Sequence, residues 1–304
     1  PPVVITRSIF SESHHSLSLS DIKYFSSATT SRMISSNPVA PLIISLIMFI
    51  ILAPFLWILL ASFRPNMELV RNQTLIPQNI TLENYVSLFA KSAYWQWVIN
   101  SSIVAIYTVV LSLPLIVAGA YSVYRTQYRG RNVLSLFLLS VYIFPTALLV
   151  VPIFKIFSGL TLVDSHFGCA LMNTAFAVPF GIWLLQAFLK SLPPELEEAA
   201  SVDGIGRMRT LFQIIIPQAA PGIIAIAMFA FIVSWTEYLF AMTLLLSNDL
   251  HTLPIGLTGI VFGQYRVNWG FAAAGAVGSA LPVFILFLIV GRWFIRGISA
   301  GAIK

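Results

Sequence analysis

Charged residues are scarce in this sequence. They make up 9% of the 304 residues, whereas 58% of the chain is hydrophobic and the mean hydropathy is +0.88. Soluble globular proteins carry about 25% charged residues, so this composition excludes that class. It indicates an integral membrane protein with helical spans, since each spanning helix needs about 20 mostly apolar residues.

Side chains for metal binding or catalysis are equally scarce. The single cysteine, Cys169, lies in an apolar segment, so it provides neither a disulfide framework nor a metal cluster and is expected to be a packing residue. His166 and His251 are isolated on predicted outer loops, and a membrane-embedded enzyme would therefore lack a cluster of catalytic groups. We predict no catalytic residue and no metal site.

Signals for nucleotide and nucleic-acid binding are missing as well. The sequence contains no GxxxxGK[ST] segment, the loop that cradles nucleotide phosphates, so we do not expect the chain to hydrolyse ATP. Its net charge is +6, yet the basic residues lie in the breaks between apolar runs, where they set membrane orientation. Nucleic acid is therefore not an expected partner.

Six apolar runs are long enough to span a bilayer. Their hydrophobicity extends around the whole helix, as a lipid-embedded bundle requires, and runs of this length exclude a barrel. The fold class is therefore predicted to be all-α, an integral membrane bundle of six transmembrane helices. The runs lie near residues 39–63, 98–123, 133–157, 167–189, 219–246 and 271–295.

The 17 lysines and arginines are distributed unevenly along this pattern. Most lie near the two termini, between the second and third runs, and between the fourth and fifth runs. Because cytoplasmic loops carry the excess of positive charge, both termini and these two connections are predicted to be cytoplasmic.

Residues 1–32 differ from the rest of the chain. They are serine-rich and lack the apolar core of a signal peptide. We expect either a short flexible cytoplasmic tail or sequence upstream of the native protein, since Met33 directly precedes the first run. Residues 33–304 are then one six-span transmembrane domain.

One polar segment interrupts the apolar chain: LPPELEEAASVDGIGRMRTLFQIIIPQAAPG, residues 192–222. Two prolines can begin a helix there, glutamates follow in its first turn, and Gly204 is suited to its left-handed end. A second short helix is predicted from Arg207 to Ile216, closing at Pro217. The pattern indicates a helix–turn–helix at the membrane surface, which physical reasoning alone assigns equally to an ordinary polar loop or to a docking site.

This segment resembles the EAA loop of ABC importer permeases. The family pattern is E-A-A, three residues, G, nine residues and I-x-L-P. The chain has Glu198-Ala199-Ala200, then Asp203-Gly204, then Ile214-Ile215-Ile216-Pro217, with Ile216 where leucine is usual. The match lies between the fourth and fifth predicted spans, on the predicted cytoplasmic side.

Other segments resemble the carbohydrate-uptake branch of these permeases, in particular the smaller permease of the maltose transporter. Where the family often has asparagine, this chain has Thr236. The resemblance covers residues 39 to 304. The matching segments are Leu82–Tyr85, Ala120-Tyr121, Ser234–Tyr238, Thr252–Gly256 and Gly297–Lys304.

The resemblance implies a type I ABC importer permease fold and a transport function. The chain would form half of the pathway for a sugar, either a mono- or oligosaccharide or a polyol, in a bacterial or archaeal cytoplasmic membrane. Its partners would be membrane lipid, a larger permease, two ATP-binding subunits and an extracytoplasmic substrate-binding protein. ATP and Mg²⁺ would be held by the ATP-binding subunits, and this chain would bind no cofactor.

The resemblance also implies residue roles. Residues 190–218 would be the EAA loop, whose coupling helix is seated in a cleft of an ATPase subunit. The C-terminal residues Gly301, Ala302 and Lys304 would reach between the two ATPases. The contacts of the loop would come from Glu198, Ala199, Ala200, Asp203, Gly204, Ile214 and Pro217.

One acid, Glu237, lies inside a predicted span. Charges in spans are costly and commonly functional, so Glu237, with Trp235 and Tyr238, is a candidate for the translocation pathway. The alternative is a structural acid. In the maltose-type family the larger permease supplies most sugar contacts, which favours that alternative.

Other functions stay open at this stage. Glycerol phosphate esters or another solute would suit the same permease, because selectivity is expected in the binding protein and the partner permease. An ion-coupled secondary transporter would require inverted repeats, broken helices and buried coupling acids. The sequence offers one candidate acid and no convincing repeat.

Overall fold

The chain is described here by a computed structural model. It covers residues 39–71, 74, 77–125, 128–143, 145–262 and 267–301, and these ranges contain helices and no strand. The helices are α1 (Val39–Ser62), α2 (Asn66–Arg71), α3 (Glu83–Lys91), α4 (Tyr94–Arg125), α5 (Arg131–Ser140), α6 (Val150–Gly159), α7 (His166–Ser191), α8 (Glu195–Val202), α9 (Arg207–Gln218), α10 (Ala220–Thr236), α11 (Leu239–Leu244), α12 (Leu253–Phe262) and α13 (Trp269–Gly301).

Four of these helices are long and apolar enough to cross a bilayer: α1, α4, α7 and α13. The pair α9 and α10 would be a fifth span if its two helices, bent by 79° at their junction, are counted together. The all-helical membrane fold is confirmed. The predicted number of six spans is not confirmed by length and composition within the described residues.

The third and fifth predicted spans are not continuous helices. The third predicted span, 133–157, corresponds to a longer broken segment that consists of α5, the 3₁₀ turns Val141–Ile143 and Thr146–Leu149, and α6. Pro145 lies at this break, where it has no backbone N–H to donate to a continuous helix. The run 219–246 is divided into α10 and α11 at Glu237.

The chain divides into two compact units, Pro1–Trp57 and Ile58–Lys304. In the first unit, the described residues belong to α1, and its large apolar side chains, such as Leu42, Phe49 and Phe55, are exposed. Exposed apolar side chains around a helix are what lipid contact requires. The second unit contains all the remaining helices.

Within the second unit, α4, α7 and α10 pack closely together. Glycines permit this approach, since a Cβ added to Gly181 of α7 would lie 2.4 Å from the Cδ1 atom of Ile116 of α4. Small residues at helix interfaces are typical of membrane bundles. The buried core there includes Ile116, Ala120, Ile182, Leu185, Leu189, Leu211, Ile215 and Ile226.

An ion pair holds the segment that follows α1. The Nε atom of buried Arg64 donates to Oε1 of Glu68 at 2.8 Å. The carboxylate also accepts the backbone N–H groups of Gln78 and Asn79, each at 3.0 Å. The hydrogen bond from Gln78 is the largest effect on this carboxyl, and with Asn79 and Arg64 it lowers the pKa of Glu68 against the opposing effect of burial.

This lowered pKa predicts a pH-dependent contribution to stability. A carboxylate whose pKa is lower in the folded than in the unfolded chain stabilises at pH above its unfolded value of about 4.3, and that contribution is lost as pH falls through the folded pKa. We therefore expect Glu68→Gln to lower the Tm in detergent at pH 7. The difference from the unmodified protein should shrink towards pH 3.

Thermal unfolding between pH 7 and pH 3 tests this. Glu83→Gln is the matched control, because Glu83 is an exposed glutamate of neighbouring α3, and its Tm should follow that of the unmodified protein. A Tm difference for Glu68→Gln that stays constant down to pH 3 would show that the carboxylate charge does not stabilise this segment.

Candidate functional sites

The polar segment forms the helix–turn–helix that its sequence predicts. α8 follows the two prolines and ends at Val202, Asp203 is its C-cap, and Gly204 has a φ of +75°. The N–H of Gly204 donates to the carbonyl of Ser201 at 3.1 Å, and the N–H of Ile205 donates to that of Ala200 at 2.8 Å. These two bonds and the left-handed residue are a Schellman motif, so Gly204 fixes the end of α8.

The second helix is longer than predicted. α9 continues past Ile216 and Pro217 to Gln218, and the turn Leu211–Ile215 is a π-helix. Pro217 has no N–H to donate to the preceding turn, which is consistent with a wider turn there. α9 then bends by 79° into α10, so this end of the polar segment is joined directly to a membrane helix.

The predicted coupling residues differ in exposure. Ala200 is only 2% exposed and faces the interior of its own chain, and Ile214 is half-buried. The others lie at the surface, where a second subunit can contact them. They are Glu198, Ala199, Asp203, Gly204 and Pro217.

Three large apolar side chains are exposed on the same segment. Val202 is 88% exposed, Met208 65% and Phe212 61%. Exposed apolar residues beside charged ones commonly mark an interaction surface. Sequence reasoning missed these residues, although their apolar character within an otherwise polar segment was a usable signal. We use the term loop surface for these three residues together with the exposed predicted coupling residues, which are Glu198, Ala199, Asp203, Gly204 and Pro217.

Arg125, the last residue of α4, braces the inner side of this segment. Its Nε lies 3.2 Å from Oε1 of Glu197 in α8. Its Nη2 donates to the carbonyls of Leu189, at 3.5 Å, and Leu192, at 3.0 Å. The guanidinium also lies 5.1 Å from the ring centroid of Tyr124. One side chain thus links α4, the end of α7 and α8.

The three predicted pathway residues do not line a common cavity. Trp235 is buried, donates from Nε1 to the carbonyl of Ser279 at 3.1 Å, and stacks on Phe231 with ring centroids 5.5 Å apart. Glu237 and Tyr238 are half-buried and line different cavities. Their role in translocation stays a prediction.

Glu237 has a structural role. It lies between α10 and α11, where its Oε1 accepts the N–H of Phe240 at 2.7 Å and its Oε2 accepts that of Ala241 at 2.8 Å. Carboxylates at a helix N-terminus satisfy its free N–H groups. Glu237 therefore caps α11, which agrees with the structural alternative and leaves lone pairs on both oxygens.

Several predicted features lie at or beyond the edge of the described residues. Gly301 ends α13, whereas Ala302, Lys304 and residues 1–32 lie outside the described ranges. Contact between the C-terminus and ATPases stays a prediction, as does the domain boundary at residue 33. Cys169 is buried, which agrees with its expected packing role.

Comparison with protein families places these features in context. Residues 84–300 match the family described as binding-protein-dependent transport system inner membrane component. Among curated relatives, an inner membrane ABC transporter permease protein of Escherichia coli is 33% identical over 264 residues, which are 86% of this chain and 94% of the relative. An arabinooligosaccharide transport system permease protein of Halalkalibacterium halodurans is 35% identical over 262 residues, 85% and 93% of the two chains.

Solved structures share the fold. A chain of a bacterial ABC transporter that imports the acidic polysaccharide alginate aligns with a TM-score of 0.67 at 24% identity, covering 92% of this chain and 99% of that one. A chain of the MetNI methionine ABC transporter in an inward-facing conformation aligns with a TM-score of 0.53 at 17% identity, covering 71% and 98%. At these identities the likeness concerns the fold alone.

Proposed function

Because this chain belongs to the family of binding-protein-dependent transport system inner membrane components, we propose that it forms half of the pathway by which a sugar is imported. The chain is a multi-pass membrane permease subunit and not an enzyme. The family match over residues 84–300 is the observation that carries the proposal. The substrate would be a neutral mono- or oligosaccharide or a polyol.

The names of the relatives support a sugar. They include permeases named for arabinooligosaccharides, for trehalose and maltose in Thermococcus litoralis at 30% identity, and for diacetylchitobiose in Streptomyces coelicolor at 31% identity. One observation favours a second candidate, an acidic solute, since a sulfoquinovosyl glycerol permease of Agrobacterium fabrum is 31% identical over 275 residues. Glycerol phosphate esters belong to this second class.

The proposed assembly has a second, larger permease, two ATP-binding subunits that hold ATP and Mg²⁺, and an extracytoplasmic substrate-binding protein. A structure that resembles this fold contains a periplasmic protein with bound alginate pentasaccharide, which supports the last of these partners. The chain would lie in a bacterial or archaeal cytoplasmic membrane with both termini in the cytoplasm, as the distribution of basic residues predicts.

We assign energy coupling to residues 190–218. The loop surface combines exposed carboxylates with exposed apolar side chains, which is the mixed character of protein interfaces. Its inner side is braced through Arg125 to two membrane helices. Movement of an ATPase docked there would therefore reach α4 and α7 directly. Gly301, Ala302 and Lys304 would provide a second contact between the ATPases.

Uptake in cells tests the substrate class. The gene is deleted in its own host and restored on a plasmid, and cells are given radiolabelled maltose, trehalose, arabinotriose, diacetylchitobiose, mannitol or glycerol 3-phosphate. We expect uptake of at least one sugar or polyol to disappear on deletion and to return on complementation. Loss of glycerol 3-phosphate uptake alone would replace the proposed substrate with the second candidate.

A further inference from the structure

A small cavity of about 220 Å³ lies where α7, α10 and the broken third segment meet. Four of its lining side chains are polar: Tyr142, Thr146, Asn173 and Glu237. The remaining wall is apolar and is formed by Val141, Phe176, Val233, Leu239 and Phe240. A largely apolar pocket with a few convergent polar groups is the general form of a small-molecule site.

Asn173 has an unsatisfied polar atom in this wall. The residue is 1% exposed, and its Nδ2 donates to the hydroxyl of Ser234 at 3.0 Å. Its Oδ1 is buried and has no partner among the described residues. If the amide were turned over, the nitrogen would be the unpaired atom instead. An unpaired buried polar atom is costly, and Asn173 belongs to the lining of this cavity.

Two hydroxyl groups of the lining are also uncommitted. The side chains of Tyr142 and Thr146 line the cavity and make no hydrogen bond with the part of the chain that the structure describes. This contrasts with Thr108, Thr174, Thr236 and Thr243, whose hydroxyls bond to carbonyls of the preceding turn. Each hydroxyl can both donate and accept, and neither is used to hold helices together.

Two aromatic residues, Phe176 and Phe240, form part of the apolar lining. Phe176 of α7 stacks on Phe240 of α11, with ring centroids 5.3 Å apart and an interplanar angle of 25°. Tyr142 packs against Phe180 with centroids 5.3 Å apart. Aromatic walls favour a ligand with an apolar face, and the C–H face of a sugar ring is one. The cavity is smaller than typical ligand pockets of about 300–1,000 Å³, so it fits one ring and not an oligosaccharide.

The charged groups of the lining favour a neutral ligand over an acidic one. Glu237 is the ionisable acid of the lining, and no Lys, Arg or His is among the described lining residues. Both carboxylate oxygens already accept one N–H each, but a carboxylate has about four acceptor positions. It can therefore accept further hydroxyl donors, whereas the described lining offers a phosphate or sulfonate no cationic side chain.

We propose that this cavity binds one ring of the transported solute as a neutral sugar, so that this permease contributes its own sugar contacts. The amide of Asn173 and the carboxylate of Glu237 accept sugar hydroxyls, and the hydroxyls of Tyr142 and Thr146 donate to sugar oxygens. This inference rests on the proposed function, because it names the solute contact within the same pathway.

Two isosteric variants test it, Thr146→Val and Tyr142→Phe. Each removes one hydroxyl that the described protein does not use, so the Tm of the complex should stay unchanged. Thr243→Val is the matched control, since its hydroxyl bonds within its own helix. The complete transporter is purified without its external binding protein, and equilibrium binding of radiolabelled maltose, trehalose, arabinotriose and diacetylchitobiose is measured.

We expect the Kd of the sugar that binds to rise about two- to tenfold in Thr146→Val and in Tyr142→Phe, as for one lost hydrogen bond, and to stay unchanged in Thr243→Val. Where direct binding is too weak to detect, the measurement is the rate of ATP-driven sugar uptake by proteoliposomes with saturating binding protein. The uptake rates of Thr146→Val and Tyr142→Phe should then fall, and the uptake rate of Thr243→Val should not.

Failure of this inference can be distinguished from failure of the proposed function. If the unmodified complex binds or imports a sugar and both isosteric variants equal it, the cavity is not a sugar site, although sugar transport stands. If the unmodified complex imports glycerol 3-phosphate and none of the sugars, the proposed function is wrong and the inference with it.

Discussion

Replacing Gly204 by alanine is expected to reduce ATP-driven transport about tenfold while the membrane helices stay folded. Gly204 has a φ of +75°, and a residue with a Cβ pays about 1–2 kcal/mol in that conformation, which corresponds to about a tenfold change in a population. A Cβ there would meet no atom of its own chain within 4 Å. The change therefore acts on the end of α8 and on whatever docks there, and not on internal packing.

The neighbouring glycine provides a matched control for this prediction. Gly206 has a φ of −67°, which alanine adopts without strain, and an added Cβ there also meets nothing within 4 Å. Gly206→Ala should transport at close to the unmodified rate. Gly204→Asn separates the two causes, because asparagine tolerates the left-handed conformation but adds bulk at the proposed interface.

Uptake of the identified solute by proteoliposomes, together with the Tm of each complex, checks these variants. If Gly204→Asn transports as well as the unmodified chain, the glycine is needed for its backbone conformation alone. If Gly204→Asn fails with an unchanged Tm, close approach by another subunit is needed too. Equal rates for Gly204→Ala and the unmodified protein would contradict a coupling role for the end of α8.

Replacing Arg125 by glutamine is expected to uncouple ATP hydrolysis from transport. The change removes the ion pair with Glu197 and the hydrogen bond that Nη2 of Arg125 donates to the carbonyl of Leu192 at 3.0 Å. Hydrogen bonds to charged groups contribute about 1.5–3 kcal/mol, so we expect at least a tenfold fall in solute moved per ATP hydrolysed. α8 could then move without carrying α4 and α7 with it.

Two further variants distinguish the ion pair of Arg125 from its hydrogen bonds to carbonyl groups. Glu197→Gln removes the ion pair and leaves the carbonyl contacts of Arg125, so its effect should be smaller, as expected for a partly exposed pair. Arg129→Gln, in the connection that follows α4, removes an exposed charge that makes no described contact and should change nothing. The measurement is the ratio of uptake to ATP hydrolysis in proteoliposomes, and an unchanged ratio for Arg125→Gln would contradict a coupling role for this side chain.

The helical membrane fold could be predicted from the sequence because length and hydropathy determine it. α4, α7 and α13 follow the predicted runs closely. The breaks within the third and fifth runs could not be placed, since apolar residues continue through them whether the helix does or not. Pro145 marked the first break, but prolines also occur inside continuous helices here, as Pro114 does in α4.

The site was predictable where local chemistry determines it. Gly204 and the flanking prolines and glutamates indicated the helix–turn–helix, because caps and left-handed ends depend on neighbouring residues alone. The sequence carried no comparable local signal for tertiary contacts. The burial of Ala200 and the contact between Arg125 and Glu197 depend on how α4, α7 and α8 pack together, which a single sequence does not show.

The central claim is that this permease takes its energy from a partner ATPase docked on the loop surface. The most direct test purifies the tagged chain from its own cells in mild detergent, both unmodified and as Gly204→Asp. We predict that a subunit containing GxxxxGK[ST] co-purifies with the unmodified chain, and that the variant retains less of it or retains it without coupled transport. A chain that purifies alone and moves solute into liposomes without ATP would contradict the account.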